Sequence, residues 1–299
     1  MPRRSSGCLV SRQFSLAHLT LLSLAPPELV EVAAATGYQY VSLRPIPVTP
    51  NEPKYPLGQD SALLARTRRK MADTGIKLLD IELARILDGV DIRSYEPALA
   101  AAAELGGKFV LSSGWTPDHG YTVEKFAELC ELAASYDLTV CFEFVTFASV
   151  TDLAGAARVV REANCPNGAI CVDTLHFFRS GCRVEELDTL PASWFPYLQV
   201  CDALSAHAAD REELIFTARA DRKFVGEGRL PIADIINRLP EVPYAIEAPN
   251  LALSLELSPI DFARRALQSA KAYQDRHPRQ PKIVQDVDDS AGARAATSL

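Results

Sequence analysis

Residues 138–176 read LTVCFEFVTFASVTDLAGAARVVREANCPNGAICVDTLH, and this stretch decides the predicted fold. It contains two short apolar runs, at 138–144 and 168–176, with an amphipathic segment at 149–164 between them. Apolar runs of this length are typical of parallel strands that are buried on both faces, and the intervening segment has the period of a helix. The stretch therefore predicts a strand–helix–strand unit, the repeating element of α/β proteins.

The same alternation continues in both directions along the chain. Eight strand-like runs alternate with helical segments, mostly through short connections, and no GxGxxG or P-loop motif follows a strand. Eight alternations favour an α/β fold of the (β/α)8 TIM barrel type over an open sheet, and 299 residues suffice for one barrel. We predict a single barrel domain at residues 11–275, a flexible N-terminus at 1–10 and a disordered polar tail at 276–299.

Charge and composition exclude several classes of function. The formal net charge of −7 argues against a general nucleic-acid binder or a membrane-surface binder, because such proteins gather Lys and Arg. No apolar stretch reaches the roughly 20 residues of a membrane helix, and the N-terminus lacks the apolar core of a secretory signal. Seven cysteines without CxxC spacing are typical of a reducing compartment. We therefore expect a cytoplasmic protein that acts on a small molecule.

Each of the last four predicted strands carries one oxygen side chain that can bind a metal. They are Glu143 in VCFEF, Asp173 in AICVDTLH, Gln199 in YLQVCD and Glu247 in YAIEAPN. A polar group at the end of a buried strand is costly unless it is paired or coordinated. Because the C-terminal strand ends of a barrel meet at one face, a single ion could reach all four. Hard oxygen donors favour Mg²⁺ or Mn²⁺, with Co²⁺ and Zn²⁺ as open alternatives.

Enolate chemistry at such an ion needs a base as well. The ion would polarise a carbonyl and stabilise the enolate that forms when the adjacent carbon loses its proton. His176 stands three residues after Asp173 and is a candidate base, with orientation of a carboxylate as its alternative role. Glu143 and Glu247 are competing candidates for the same role.

Further residues are predicted to contact the substrate. Arg179 and Arg222 are candidate holders of a carboxylate or phosphate, with surface salt bridges as the alternative. Trp115 would supply an apolar stacking face for a ring-shaped substrate. The remaining candidates for the pocket wall are His18, Arg44 and Glu82. The long connection from 202 to 228 is a candidate lid.

Several short motifs resemble those of the xylose isomerase-like barrel superfamily, in its sugar phosphate isomerase/epimerase branch. The motifs are DIEL at 80–83, FEF at 142–144, DTLHFFRSG at 173–181, QVCDA at 199–203, GEG at 226–228 and IEAPN at 246–250. The resemblance covers most of residues 12–273. It implies that Glu143, Asp173, Gln199 and Glu247 bind one divalent metal. It also implies a small polyol, keto-sugar or cyclic keto acid as substrate, and a homodimer.

Gln199 marks a departure from most sugar epimerases of this superfamily, which have His at that position. Related 3-dehydroshikimate and inosose dehydratases have Gln. The resemblance to endonuclease IV implies no shared activity, because that enzyme needs a His-rich zinc site and this chain has five histidines.

Three functions therefore stay open. The favoured one is a metal-dependent isomerase or epimerase that acts on a sugar, sugar phosphate or keto-sugar through an enediolate. The alternatives are a metal-dependent lyase that eliminates water next to a ketone, and a non-catalytic sugar-binding barrel.

Overall fold

A computed structural model describes residues 12–280, which form a closed barrel of eight parallel strands. The strands follow chain order around the barrel, and β8 pairs with β1 to close it. They are β1 Phe14–Ala17, β2 Tyr40–Leu43, β3 Lys77–Ile86, β4 Phe109–Gly114, β5 Thr139–Glu143, β6 Gly168–Asp173, β7 Leu198–Val200 and β8 Tyr244–Ile246. The predicted (β/α)8 barrel is confirmed. The N-terminus assigned to 1–10 lies outside the described residues.

Ten α-helices lie within the described part of the chain. They are α1 Pro26–Thr36, α2 Ser61–Thr74, α3 Glu96–Glu104, α4 His119–Ala134, α5 Leu153–Ala163, α6 Thr174–Arg179, α7 Arg211–Ala220, α8 Ile232–Arg238, α9 Leu251–Glu256 and α10 Pro259–Arg276. Aspartates begin five of the helices between strands, α6 and α7 among them, because their carboxylates accept a hydrogen bond from a backbone N–H in the first turn. The other three are Asp60 before α2, Asp118 before α4 and Asp152 before α5.

The sixth strand is shorter than the apolar run predicts. β6 ends at Asp173, and the following TLHFFR forms helix α6 instead of continuing the strand. Asp173 Oδ1 accepts hydrogen bonds from the backbone N–H groups of Leu175 at 2.7 Å and His176 at 3.1 Å. These bonds satisfy two of the free N–H groups at the helix start, so an apolar sequence becomes a helix. His176 consequently lies in the first turn of α6.

The connection after β7 is not a plain loop. It contains α7, which begins after Asp210, whose carboxylate accepts from the backbone N–H of Glu213 at 2.8 Å. At the other end of the chain, residues 277–280 belong to our predicted tail, yet two of them contact the α8 region. Arg279 donates to the carbonyl of Leu239, and the backbone N–H of Gln280 donates to Asn237 at 2.9 Å. Residues 281–299 lie outside the described part.

Two apolar layers support the barrel. A large cluster packs the helices against the outside of the strands, and a small one fills the inside. The inner cluster consists of Leu79, Leu83, Leu111, Cys141, Ala169, Cys171, Tyr197 and Ala245. It fills the barrel below the C-terminal strand ends, together with the buried carboxyl group of Asp80, which accepts hydrogen bonds from Tyr197 and Ser42. No helix within residues 12–280 has the length and apolar character needed to cross a membrane.

Candidate active site

A cavity of about 230 Å³ lies at the C-terminal ends of the strands. Glu143 at the end of β5, His176 on α6 and Glu247 just after β8 all line it. Asp173 and Gln199 are fully buried and lie directly opposite each other in the pairing of β6 with β7. The structure thus brings the three cavity-lining residues to one end of the barrel, where Asp173 and Gln199 occupy the two strands between β5 and β8.

The carboxylates at this end of the barrel are close enough to perturb one another. Burial raises the pKa of Glu143 well above its usual value, and the neighbouring Glu247 and Asp173 raise it further. Burial also raises the pKa of Glu247 to about 7, even though Arg222 and Arg44 act in the opposite direction. Removing negative groups from water and placing them together favours their protonated forms. The cluster is therefore an electrostatically costly arrangement that a further positive charge would relieve.

Arg222 lies between two of these carboxylates. Its Nη1 donates to Asp173 Oδ2 at 2.6 Å and to the backbone carbonyl of Glu247 at 3.1 Å. Its Nη2 pairs with Glu247 Oε2 at 2.9 Å, and its Nε donates to the carbonyl of Ala218 at 2.8 Å. The side chain is 2% exposed. Most of its N–H groups are therefore bound to the protein itself, in place of the substrate anion that the sequence analysis assigns to Arg222.

The donor set fits a divalent cation by its chemistry. Five buried carboxyl groups share this region with two buried guanidinium groups, so acidic groups outnumber basic ones by three; the groups are Asp80, Glu82, Glu143, Asp173 and Glu247 against Arg44 and Arg222. The Nε2 atom of Gln199 is buried without a hydrogen-bond partner, which is rare in folded proteins, and its Oε1 accepts only from the thiol of Cys171 at 3.6 Å. Three carboxylates and an amide supply the hard oxygen atoms that such an ion prefers.

The positions of these donors, however, are set by Arg222 and not by a common point at which an ion would bind. Within residues 12–280, no three His, Cys, Asp or Glu side chains are grouped so as to hold a metal ion. The reason is visible at Asp173 and Glu247, since each gives one carboxylate oxygen to Arg222. A cation and the Arg222 guanidinium would therefore compete for the same pair of carboxylates.

His176 has an uncharged ring in this setting. Burial lowers the pKa of His176 to about 4, and Arg222 and Arg179 lower it while Asp173 acts against them. Thr146 Oγ1 lies 3.2 Å from its Nδ1, and the ring of Phe147 meets it edge to face with centroids 5.6 Å apart. The backbone N–H of Thr146 also donates to Nδ1 at 3.5 Å, so the ring is fixed at the cavity wall as a neutral imidazole that carries its proton on Nε2.

Three other predicted site residues lie outside the lining of this cavity. Glu82 pairs with Arg44 at 2.9 Å, and the Arg44 side chain does line the cavity. His18 is fully buried; its Nδ1 accepts from the backbone N–H of Arg44 and its Nε2 donates to the carbonyl of Leu24, both at 2.9 Å. Arg179 lies 3.5 Å from Glu213. In this structure Glu82 and His18 hold protein groups, whereas Arg179 does so only through Nη2, because its Nε and Nη1 are buried without a hydrogen-bond partner.

The GEG turn is held from below by a residue that sequence reasoning missed. Asp202 Oδ2 accepts from the N–H groups of Gly226 and Gly228, each at 3.0 Å, and its Oδ1 accepts from those of Ala203 and Leu230. A Cβ on Gly228 would come 2.3 Å from the carbonyl of Ala203, so only glycine fits there. The motif therefore has a structural explanation. The QVCDA sequence was the only signal that pointed to Asp202.

The predicted aromatic wall exists, and its neighbours include residues that the sequence analysis does not select. Trp115 lines the cavity, its Nε1 donates to Ser113 Oγ at 2.8 Å, and its ring lies 5.9 Å from that of Phe147. Arg219 lines the cavity from α7, and Arg85 lies beside Trp115 on β3. Arg219 was missed because α7 was not predicted. Arg85 was missed because its position depends on packing across strands.

Comparison with solved structures shows the same fold. The chain superimposes on the IolI protein with a bound zinc atom with a TM-score of 0.74 at 18% identity, covering 89% of this chain and 99% of that one. The probable 3-DHS dehydratase AsbF of Bacillus anthracis gives 0.68 at 16% identity, with coverage of 87% and 98%. D-allulose 3-epimerase from Methylomonas sp., in complex with D-allulose, gives 0.65 at 14% identity, with coverage of 88% and 97%.

The sequence comparisons are more specific about the family. No curated protein matches the chain. A family profile described as "Xylose isomerase-like TIM barrel" matches residues 30–273, which is most of the sequence. The profile and the closed barrel agree with the motifs quoted above. The chain therefore belongs to the xylose isomerase-like TIM barrel family.

Proposed function

We propose that the protein is a divalent-metal-dependent isomerase or epimerase of a small sugar, sugar phosphate or keto-sugar. The observation that carries the proposal is the pair Glu143 and Glu247, which line one cavity from β5 and from the end of β8. Two further strands, β6 and β7, separate them, so the two carboxylates approach a ligand from different sides. An enediolate reaction needs one group to remove a proton and another to return it, and two such carboxylates suit that exchange.

Four residues would hold the ion: Glu143, Asp173, Gln199 and Glu247. Mn²⁺ and Mg²⁺ suit this oxygen-rich set, and the zinc atom in IolI is a reason to include Zn²⁺ and Co²⁺ among the ions to be tested. When bound, the cation would polarise the substrate carbonyl and stabilise the negative charge that develops on its oxygen.

The chain's own residues would do the remaining work. Trp115 and Phe147 form an apolar wall that excludes water from the reacting carbons. His176, neutral and held at Nδ1 by Thr146, would orient a substrate hydroxyl by donating its Nε2–H to it. Arg222 would keep the carboxylate of Glu247 in place through its contact with Oε2.

A dehydratase is the second candidate, and one observation favours it. Gln199 stands on β7 where an amide, rather than an imidazole, faces the carboxylates. AsbF, whose name describes a probable 3-DHS dehydratase, superimposes on the chain over 87% of its length. A lyase would use Glu143 or Glu247 to remove the proton next to the ketone, and the same carboxyl group would return that proton to the departing hydroxyl, which leaves as water.

The test uses protein stripped with EDTA and then supplied separately with Mn²⁺, Mg²⁺, Co²⁺ or Zn²⁺. Each form is incubated in D₂O with D-allulose, an inosose and 3-dehydroshikimate, and the products are weighed by mass spectrometry. Deuterium gained by an unchanged sugar skeleton supports isomerisation, and loss of water supports the lyase. Glu247→Gln is expected to lower turnover by orders of magnitude. Turnover that survives complete metal removal would contradict both readings.

We also propose that the protein pairs with a second copy of itself. Light scattering of the purified chain tests this directly, because a homodimer would have twice the mass of 32.6 kDa.

A further inference from the structure

Two arginines stand against the aromatic wall of the cavity. The guanidinium carbon of Arg85 lies 5.7 Å from the ring centre of Trp115, and that of Arg219 lies 5.8 Å from the ring centre of Phe147. The two rings are themselves in contact, with centroids 5.9 Å apart. Stacking on an aromatic face holds a guanidinium in a fixed plane while its edge stays available for hydrogen bonding.

These two arginines differ from the other cations of the site in having no acidic partner. Arg44 and Arg222 are both paired with carboxylates within 3.0 Å. Within residues 12–280, Arg85 and Arg219 form no ion pair, and the one hydrogen bond of the Arg85 guanidinium goes from Nη2 to the carbonyl of Val48 at 2.7 Å. Most of their N–H donors are therefore free.

The one acidic side chain near this position is already engaged. Glu52 lines the cavity, and its two oxygens accept hydrogen bonds from the backbone N–H groups of Val48 and Thr49 and from the Thr49 hydroxyl. It stabilises its own loop and forms no direct ion pair with either arginine. Burial lowers the pKa of Arg85, Tyr95 and Glu52 act in the opposite direction, and Arg219 lowers it again. Two like charges are thus held close together without a carboxylate in direct contact.

The pair also occupies a junction between two cavities. Arg219 and Trp115 line the cavity that contains Glu143 and Glu247, and Arg85 lines an adjoining one of about 470 Å³. Leu83 lines both. A ligand with its carbonyl at the carboxylates could therefore extend its far end to the two guanidinium groups.

We propose that Arg85 and Arg219 form an anion subsite, which takes a carboxylate or phosphate carried by the substrate at the end remote from its reacting carbonyl. The proposal rests on the proposed function for the place of the reacting carbonyl. It narrows the substrate from sugars in general to anionic ones, either keto acids or sugar phosphates. Planar guanidinium groups match both kinds of anion, through paired N–H···O bonds.

The experiment measures binding instead of turnover. Metal-free protein is titrated calorimetrically with 3-dehydroshikimate as the carboxylate probe, fructose 6-phosphate as the phosphate probe and an inosose as the uncharged probe. At least one anionic probe is expected to bind about tenfold more tightly than the inosose, and to lose that advantage in high salt. The anionic probe that binds with the higher affinity identifies the substrate class, a keto acid or a sugar phosphate.

Variants separate the subsite from a general effect of charge. Arg219→Gln and Arg85→Gln are each expected to weaken binding of the preferred anion about tenfold and to leave the inosose unchanged. Arg219 is exposed, so its variant keeps the test valid if Arg85→Gln folds poorly. Arg161→Gln is the matched control, because Arg161 also stacks on an aromatic ring, that of Trp194 at 5.9 Å, on α5.

Two results would overturn the subsite. One is a wild-type protein that binds no anionic probe more tightly than the inosose, including the case where none of the three binds. The other is an equal loss of anion binding in Arg161→Gln and Arg219→Gln. Neither depends on metal or on turnover, so a failure of the proposed enzymatic function would be recognised separately by the D₂O experiment.

Discussion

Arg222 and Asp173 form a buried ion pair, with Nη1 2.6 Å from Oδ2 and neither side chain more than 2% exposed. The same guanidinium also contacts Glu247, so it ties the end of β6 to the end of β8 across β7. A positive charge therefore stands inside the cluster that the sequence assigns to a metal. Two kinds of cation, one built into the chain and one bound from solution, can stabilise the same carboxylates.

Arg222→Met is expected to destabilise the metal-free protein by about 3 kcal/mol, because it leaves two buried carboxylates without their partner. Saturating Mn²⁺ should restore part of the loss, since the ion can neutralise the charges that the variant exposes. Urea unfolding with and without Mn²⁺ measures both effects. Arg265→Met is the control: it breaks the exposed pair with Glu227 and should cost less than about 1 kcal/mol. Equal losses in the two variants would show that Arg222 does not stabilise the cluster.

Glu143→Gln should separate stability from metal binding. The substitution removes one of the mutually repelling charges and keeps the shape, so the free energy of unfolding of the metal-free protein should not fall at pH 7. Mn²⁺ affinity should fall on the order of 100-fold, because a charged ligand is lost. Calorimetry with Mn²⁺ and urea unfolding give the two readouts, with the exposed Glu162→Gln as control. Unchanged Mn²⁺ affinity would remove Glu143 from the ligand set.

His18 should make stability depend on pH. Burial lowers the pKa of His18 to about 4 in the folded protein, below the value near 6.5 of an unfolded chain. The unfolded state thus binds the proton more readily, so the stabilising contribution is complete above pH 6.5 and is lost as pH falls towards 4. The difference corresponds to about 3 kcal/mol.

Urea midpoints at pH 7 and pH 4.5 test this expectation. His18→Gln should flatten the decline, and His176, whose pKa is also lowered to about 4, still contributes to what remains. The exposed His207→Gln should leave the decline unchanged. An undiminished pH dependence in His18→Gln would show that His18 titrates normally in the folded protein.

Asp202→Asn should loosen the GEG turn. An amide keeps one acceptor oxygen, so two of the four backbone N–H groups that the carboxylate holds lose their partner, at a cost of about 2 kcal/mol. Asp118→Asn is a matched control, since Asn caps a helix as well as Asp does, and its cost should be below about 1 kcal/mol. Hydrogen exchange would locate the effect in residues 224–230. A loss no larger than in the control would contradict the role of Asp202.

Most of the fold could be predicted because each strand is a short apolar run next to an amphipathic helix. The spacing of apolar residues along the sequence is enough to distinguish the two. The errors arose where a single polar residue overrides the period. Asp173 begins a helix inside an apolar run, and Asp210 begins α7 within a polar connection. In both places a capping aspartate was present in the sequence and outweighed the pattern around it.

The candidate site could be predicted only in part, for a different reason. Strand-end oxygen side chains follow from the topology, so Glu143 and Glu247 are at the cavity as expected. The ion pairs of Arg222 with Asp173 and Glu247 cannot be predicted from the topology, because they depend on how the chain after β7 folds back across the barrel. The positions of Arg85 and Arg219 depend on the same folding, and no spacing in the sequence brings them together.

Asp173 links the proposed metal site to the folding of the chain. One oxygen of its carboxylate begins α6 and the other holds Arg222, so any substitution there alters a helix, an ion pair and a proposed metal ligand at once. Random mutagenesis selected only for folded protein would therefore retain Asp173 as strictly as selection for activity. Whether substitutions at Asp173 are tolerated would therefore report on the stability of the fold. Gln199 begins no helix, so substitutions there would report more directly on whether the proposed metal-dependent activity is kept.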